Sequence, residues 1–220
     1  MDLHISVHKL IIEVRFPNDR NNSFLRPEHW FPQYRIHGFH CTGFRVYFDP
    51  VYSLYEPDRM LDTHTIELLQ KGDWIDGSRN LLITGGAGAG KTHVANALCV
   101  TALHQMRTVK YIRANRLLQE CEKARDEGRA YDYTNEMYAY DLLVIDDFGL
   151  MDLNIDKCLA LFEIVETRDS RKPTVIISQL PVLKWWDLFG DNTYADACLS
   201  RMTHKAYRLE FNGRDMRKTT

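Results

Sequence analysis

The stretch "LLITGGAGAGKTHVANAL", residues 81 to 98, sets an apolar run against a loop built of glycine and alanine alone, then a Lys-Thr pair that opens a helical pattern. The loop matches G-x-x-x-x-G-K-[ST] in full, with Gly85, Gly90, Lys91 and Thr92 at the required places between a strand and a helix. Small residues let successive backbone N–H groups close around an anion, and the helix that follows presents its free first-turn amides to the same charge. Lys91 adds a point charge for outer phosphates, and the Thr92 hydroxyl is placed to ligate Mg2+. Gly85, Gly86, Ala87, Gly88, Ala89, Gly90, Lys91, Thr92 and His93 together read as a cradle for a nucleoside triphosphate. A plain glycine-rich turn is the competing reading, and the strand and helix flanks argue against it.

Outward from this loop, short apolar runs alternate with longer helical stretches. Strands are expected at 81–84, 109–113, 142–146, 174–178 and 207–211, each rich in β-branched or aromatic residues. Helices are expected near 91–106, 115–139 with a break at Gly128, 155–169 and 193–204. A further helix after residue 58 places Leu61, Ile66, Leu69 and Trp74 on one side. Crossovers of this length permit parallel pairing, so the pattern specifies an α/β fold, a parallel five-stranded sheet with helices on both faces. Residues 1–57 are rich in His, Arg, Pro and aromatics, show no sustained period, and form an N-terminal segment of uncertain structure.

A second group of chemical residues lies at strand ends. "YDLLVIDDFG" closes an apolar strand with Asp146 and Asp147, an arrangement in which the first carboxylate holds Mg2+ and the second orients an attacking water. "TVIISQLP" places Ser178 and Gln179 at the C-terminal edge of another buried strand, where open parallel sheets carry their ligand contacts. Gln179 is the candidate to position water or touch a terminal phosphate, whereas Ser178 is as readily explained by the turn before Pro181.

Composition limits the rest. At 220 residues and 45% hydrophobic, the chain suffices for one domain and a small appendage. A net charge of −2 argues against wholesale coating of nucleic acid and leaves room for a local basic face. Candidates for that face are Lys110, Arg113, Arg116, Lys123, Arg125, Arg129, Arg168, Arg171 and Lys172, with a solvated surface as the bland alternative. The five cysteines are widely spaced without a C-x-x-C pair, which fits reduced thiols in a cytoplasmic protein. No apolar run approaches a membrane span. His29, His37, His40 and Cys41 gather without a recognised zinc spacing, and Trp185 and Trp186 read as a packed corner before a base-stacking platform.

Taken together, "LLITGGAGAGKTHVANAL", "DLLVIDDFGL", "LFEIVETRDSRKPTVIISQLP", "WWDLFGD" and "ADACLSRMTHKAYRLEF" resemble the IstB family of insertion-sequence helper ATPases. That family is similar to the DnaC helicase loaders within the AAA+ class of P-loop NTPases, and the likeness runs over about residues 58 to 218. The resemblance implies an AAA+ ATP-binding domain at 58–220, ATP held with Mg2+ between neighbouring subunits of an oligomer, and hydrolysis coupled to engagement of duplex DNA. It implies a partner transposase, or, in the alternative, a replicative helicase. Residue by residue it gives Lys91 and Thr92 in Walker A, and Asp146 and Asp147 in Walker B, the latter where glutamate is usual. It gives Gln179 as sensor 1, where many relatives have asparagine, and Arg201 in "LSRMTH" as an arginine finger. Two readings outside that family also remain: a small-molecule kinase, for which no lid pattern follows the phosphate loop, and a non-catalytic DNA clamp that keeps nucleotide as a structural element.

Overall fold

The computed structural model describes residues 64–190 and 193–212 in full, the backbone of residue 63 and, within residues 3–46, the backbone of five short strands. Of these, β1 (Leu3–Val7) pairs antiparallel with β2 (Leu10–Val14), and β4 (Phe39–Cys41) with β5 (Phe44–Val46). The segment that sequence periodicity left unassigned thus carries local hairpin pairing. His29, His37, His40 and Cys41, the group without a recognised zinc spacing, lie outside the residues whose side chains are described, as does Leu61.

The central sheet is built from β6 (Leu81–Gly85), β7 (Val109–Arg113), β8 (Leu142–Phe148), β9 (Thr174–Ser178) and β10 (Tyr207–Phe211). All five pair in parallel in the order β10-β6-β9-β8-β7, and β3 (Phe24–Leu25) adds antiparallel at the β7 edge. The core strands are apolar on both faces, which is what burial under helices on both sides demands. One face, through Leu81, Ile83, Val144, Val175 and Ile177, packs on Ile66 and Leu69 of α1 (Thr63–Lys71) and Val94 and Leu98 of α2 (Lys91–His104). The alternate residues Leu82, Ile112, Leu143, Ile145 and Ile176 face α3 (Ala114–Asp126), α4 (Ala130–Ala139), α5 (Ile155–Arg168) and α7 (Tyr194–Thr203). Each Leu or Ile so buried contributes about 1.5–3 kcal/mol relative to exposure.

The expected helix over 115–139 is two helices, divided by a turn in which Gly128 sits at φ +68°. Only glycine adopts that conformation without a Cβ penalty. Trp74 lies past the end of α1, in a one-turn 3-10 segment entered through Gly72, and its indole nitrogen donates to Leu69 O at 3.1 Å. A further short helix, α6 (Trp186–Phe189), follows β9 and was not anticipated. Trp185 is fully buried against Phe148, with ring centroids 4.7 Å apart, so the packed-corner reading holds for it, whereas Trp186 is half exposed.

Two members of the expected basic face are interior residues instead. Arg168 is 1% exposed and donates to the carbonyls of Met137, Tyr140 and Pro173 at 2.6–2.9 Å and to the Thr174 hydroxyl at 3.2 Å. It closes the end of α4 together with Lys172, whose Nζ donates to Ala139 O at 2.9 Å. Lys110 is 2% exposed, beneath Tyr140 and 3.9 Å from Glu136. Neither can reach a DNA backbone. No helix among the described residues is long and apolar enough to cross a membrane.

Candidate functional site

Walker-type loop, strand ends and helix start meet at the C-terminal edge of the sheet. Between β6 and α2 the chain turns through Gly85, Gly88 and Gly90, at φ +142°, +74° and +93°, three values that favour glycine. Gly85 answers a second constraint, since a Cβ there would lie 2.4 Å from Phe211 O and 2.6 Å from Phe211 Cβ on the adjacent strand β10. Gly86 is different. Its φ lies outside the left-handed region and a Cβ built on it meets nothing within 4 Å, so no atom of the chain demands glycine there. The space beside Gly86 is open, and of the loop it is Ala87, Gly88, Lys91 and Thr92 that line the cavity, small residues and a cation of the kind a phosphate chain fits.

Lys91, 8% exposed, lies across this loop and donates from Nζ to Gly85 O at 2.8 Å and Gly86 O at 2.7 Å. Its ammonium is thereby stationed beside the first-turn amides of α2, the two positive elements an anion would meet together. Thr92 follows on the same turn with its hydroxyl 3.4 Å from Asp146 Oδ2. His93 is half-buried and stands outside the cavity wall.

On β8 the pairing with β9 shifts register between Ile145 and Phe148, and Asp147 takes φ +57° within that irregularity. Aspartate is among the few non-glycine residues that tolerate the left-handed region, and such shifts re-aim side chains at strand ends. The two carboxylates consequently part company. Asp146 is buried, accepting from the Asp147 amide at 2.7 Å through Oδ1 and from the Tyr111 hydroxyl through Oδ2. Asp147 is half-buried on the rim and pairs with Arg113 Nε at 3.4 Å. Burial, and then the charge of Asp146, push the Tyr111 phenol far up from its ordinary value, so it stands as a donor. The same two causes, in the same order, raise the Cys99 thiol behind the cavity to about 12.

A cavity of about 180 Å³ is lined by Ala87, Gly88, Lys91, Thr92, Asp146, Asp147, Ile177, Ser178 and Gln179. The structure therefore brings together loop, carboxylates and Gln179, which sits exposed just past β9. Ser178 spends its hydroxyl on the turn, donating to Phe148 O at 2.6 Å and accepting from Leu180 N at 3.0 Å. Arg201 is not at this cavity in its own chain. Its guanidinium pairs with Glu166 of α5, donates to Ala197 O at 3.0 Å and lies 5.1 Å from the Phe162 ring centroid. Thr92 Oγ1 and Asp146 Oδ2 form a hard oxygen pair suited to Mg2+, beside a loop and lysine suited to phosphates. Sequence reasoning missed Tyr111 and assigned Arg113 only to a DNA face. The signal that could have found both is their i, i+2 spacing on the strand next to the acidic one, which puts them on one face at its C-terminal end.

A protein-family model described as IstB-like ATP binding protein matches residues 51–220. The insertion sequence ATP-binding protein y4pL of Sinorhizobium fredii is 40% identical over 164 residues, covering 74% of this chain and 67% of that protein. A second from the same organism, y4uH, is 39% identical over 160 residues, covering 73% of this chain and 64% of that protein. The insertion sequence IS21 ATP-binding protein of Pseudomonas aeruginosa is 26% identical over 157 residues, with 71% and 59% covered. The matched region thus spans about two thirds or less of the length of these relatives. Among solved structures, a DnaC helicase loader matches with TM-score 0.58 at 17% identity, over 72% of this chain and 94% of that one. AMPPCP-bound DnaA from Aquifex aeolicus matches with TM-score 0.60 at 21% identity, over 76% and 51%. At such identities these likenesses concern the fold, that of a P-loop AAA+ core.

Proposed function

The chain belongs to the IstB-like ATP-binding protein family, and from that membership we propose that it is a Mg2+-dependent AAA+ ATPase that assembles on duplex DNA and helps a transposase engage its target. The observation that carries this reading is the meeting of Lys91, Thr92, Asp146, Asp147 and Gln179 around one cavity at the sheet edge. Residues 58–220 form the ATP-binding domain in this proposal, with 1–57 as an N-terminal segment, part of which, β3, pairs at the edge of that domain's sheet. Support for the setting comes from relatives named for insertion sequences, and from a DnaA neighbour described as bound to AMPPCP and single-stranded DNA.

In this proposal Gly85 through His93 hold the phosphate chain by backbone amides, and Lys91 releases its own loop carbonyls to bind the outer phosphates. Thr92 and Asp146 hold the metal, which when bound neutralises charge on the phosphate oxygens. Asp147, on the rim, accepts a proton from the attacking water once it is free of Arg113. Gln179 contacts the terminal phosphate or that water, and Arg201 serves the site of a neighbouring subunit. Helicase loading, which would use the same engine on a replicative helicase, is the alternative client; partner binding separates the two.

The deciding experiment measures ATP turnover with and without duplex DNA, beside a screen of small phosphate acceptors and a Lys91→Ala control. DNA-stimulated phosphate release that Lys91→Ala abolishes is the expected result. Phosphorylation of an acceptor would make the protein a kinase, and tight ATP binding with no turnover would make it a clamp.

A further inference from the structure

Strand β7 supplies a partner to each acidic residue of β8. Arg113, directly opposite Asp146 in the pairing, pairs with Asp147 on the rim, while Tyr111, two residues earlier, reaches Asp146 in the interior. The phenol donates to Oδ2, the oxygen that also lies 3.4 Å from Thr92 Oγ1. Oδ1 is held by the Asp147 amide at 2.7 Å. An aspartate carboxylate otherwise turns in a broad, roughly two-fold well about its last torsion. Here donors from two strands and the start of α2 fix its plane.

We propose that Tyr111 is a positioning residue for the divalent cation that accompanies the nucleotide. This rests on the reading of Thr92 and Asp146 as the metal-holding pair. A carboxylate offers about four lone-pair sites, and the amide and the phenol take one on each oxygen. The other site on Oδ2 is the one the Thr92 hydroxyl meets here at 3.4 Å, so that hydroxyl and the carboxylate would face the cation together. The ring of Tyr111 packs with the core cluster under α2, a task that phenylalanine would perform equally; the hydroxyl group is what reaches the carboxylate. Groups that hydrogen-bond a metal-binding carboxylate set its direction, so the hydroxyl acts on the cation through Asp146.

The test is binding of a non-hydrolysable ATP analogue to wild type and Tyr111→Phe, titrated with Mg2+ from a chelated start, with Mn2+ paramagnetic resonance as a direct count of bound metal. In Tyr111→Phe the Mg2+ concentration for half the affinity gain should rise about tenfold, while affinity in chelator stays within about twofold of wild type. Equal Mg2+ response in the two proteins would overturn the proposal, and a tighter response would mean that the phenol obstructs the cation. A wild type whose affinity ignores Mg2+ altogether would instead remove the metal-site reading beneath it. If Tyr111→Phe proves poorly folded, the wild type alone decides: Mg2+ added to the nucleotide complex should perturb tyrosine absorption in the near ultraviolet, and a flat difference spectrum overturns the proposal.

Discussion

Gly85 and Gly86 are neighbours that hold their places for different reasons, and substitution separates them. At Gly85 a methyl group would strike the backbone oxygen of Phe211 in a conformation already at φ +142°. Gly85→Ala should therefore cost about 2–3 kcal/mol or more of stability, read as a lowered thermal midpoint, before nucleotide is added. Gly86→Ala meets open space, so it should melt like wild type and lose ATP affinity. Asp147 calls for a conservative change, because asparagine tolerates its left-handed backbone as aspartate does. Asp147→Asn should bind ATP normally and hydrolyse it at least about a hundredfold more slowly, since the amide cannot take a proton. Unchanged turnover in a phosphate-release assay would move the base elsewhere. The phosphate loop was legible in the sequence because its residues are contiguous and Gly85, Gly88 and Gly90 answer positive backbone angles. Tyr111 and Arg113 were not, because their roles arise from a parallel pairing between strands about 30 residues apart in the chain.

Among the elements, the five parallel strands were read almost to the residue because strands buried on both faces are continuous apolar runs bounded by polar turns. What could not be read is how α4 and β9 are joined. Arg168 sits in "RDSRK", which looks like a solvated basic run, yet its guanidinium enters the interior because three backbone carbonyls and a hydroxyl converge there. Asn80 works similarly, donating to the carbonyls of Arg201 and Met202 and accepting from Thr174 N, so that β6, β9 and the end of α7 are tied through one amide. No local pattern marks either residue, since their partners are brought by tertiary packing. Arg168→Met would keep much of the volume and leave those carbonyls unmet. It should destabilise by about 3 kcal/mol or more in urea denaturation, with DNA affinity per folded molecule unchanged. A loss of DNA binding without loss of stability would restore Arg168 to the basic face.

At the scale of the whole molecule, the cavity and Arg201 occupy different places on one chain, and assembly is what would bring an arginine to a phosphate. In its own subunit Arg201 is partly exposed on α7 beside Glu166, an arrangement worth about 0–1 kcal/mol as a surface pair. As an arginine finger it would be worth about 10³-fold or more in turnover. The two roles part on mutation. Glu166→Gln removes the local pair and leaves the guanidinium, so hydrolysis should stay within about twofold of wild type if Arg201 acts on a neighbour. Arg201→Ala should bind ATP and hydrolyse it poorly. Mixing it with Lys91→Ala, itself inactive, should restore phosphate release, because some interfaces then join an intact loop from one subunit to an intact arginine from the other. If the two variants form mixed oligomers and no activity returns, while Arg201→Ala alone turns over ATP as wild type does, Arg201 is no more than the anchor of α7 on α5, and each subunit hydrolyses on its own.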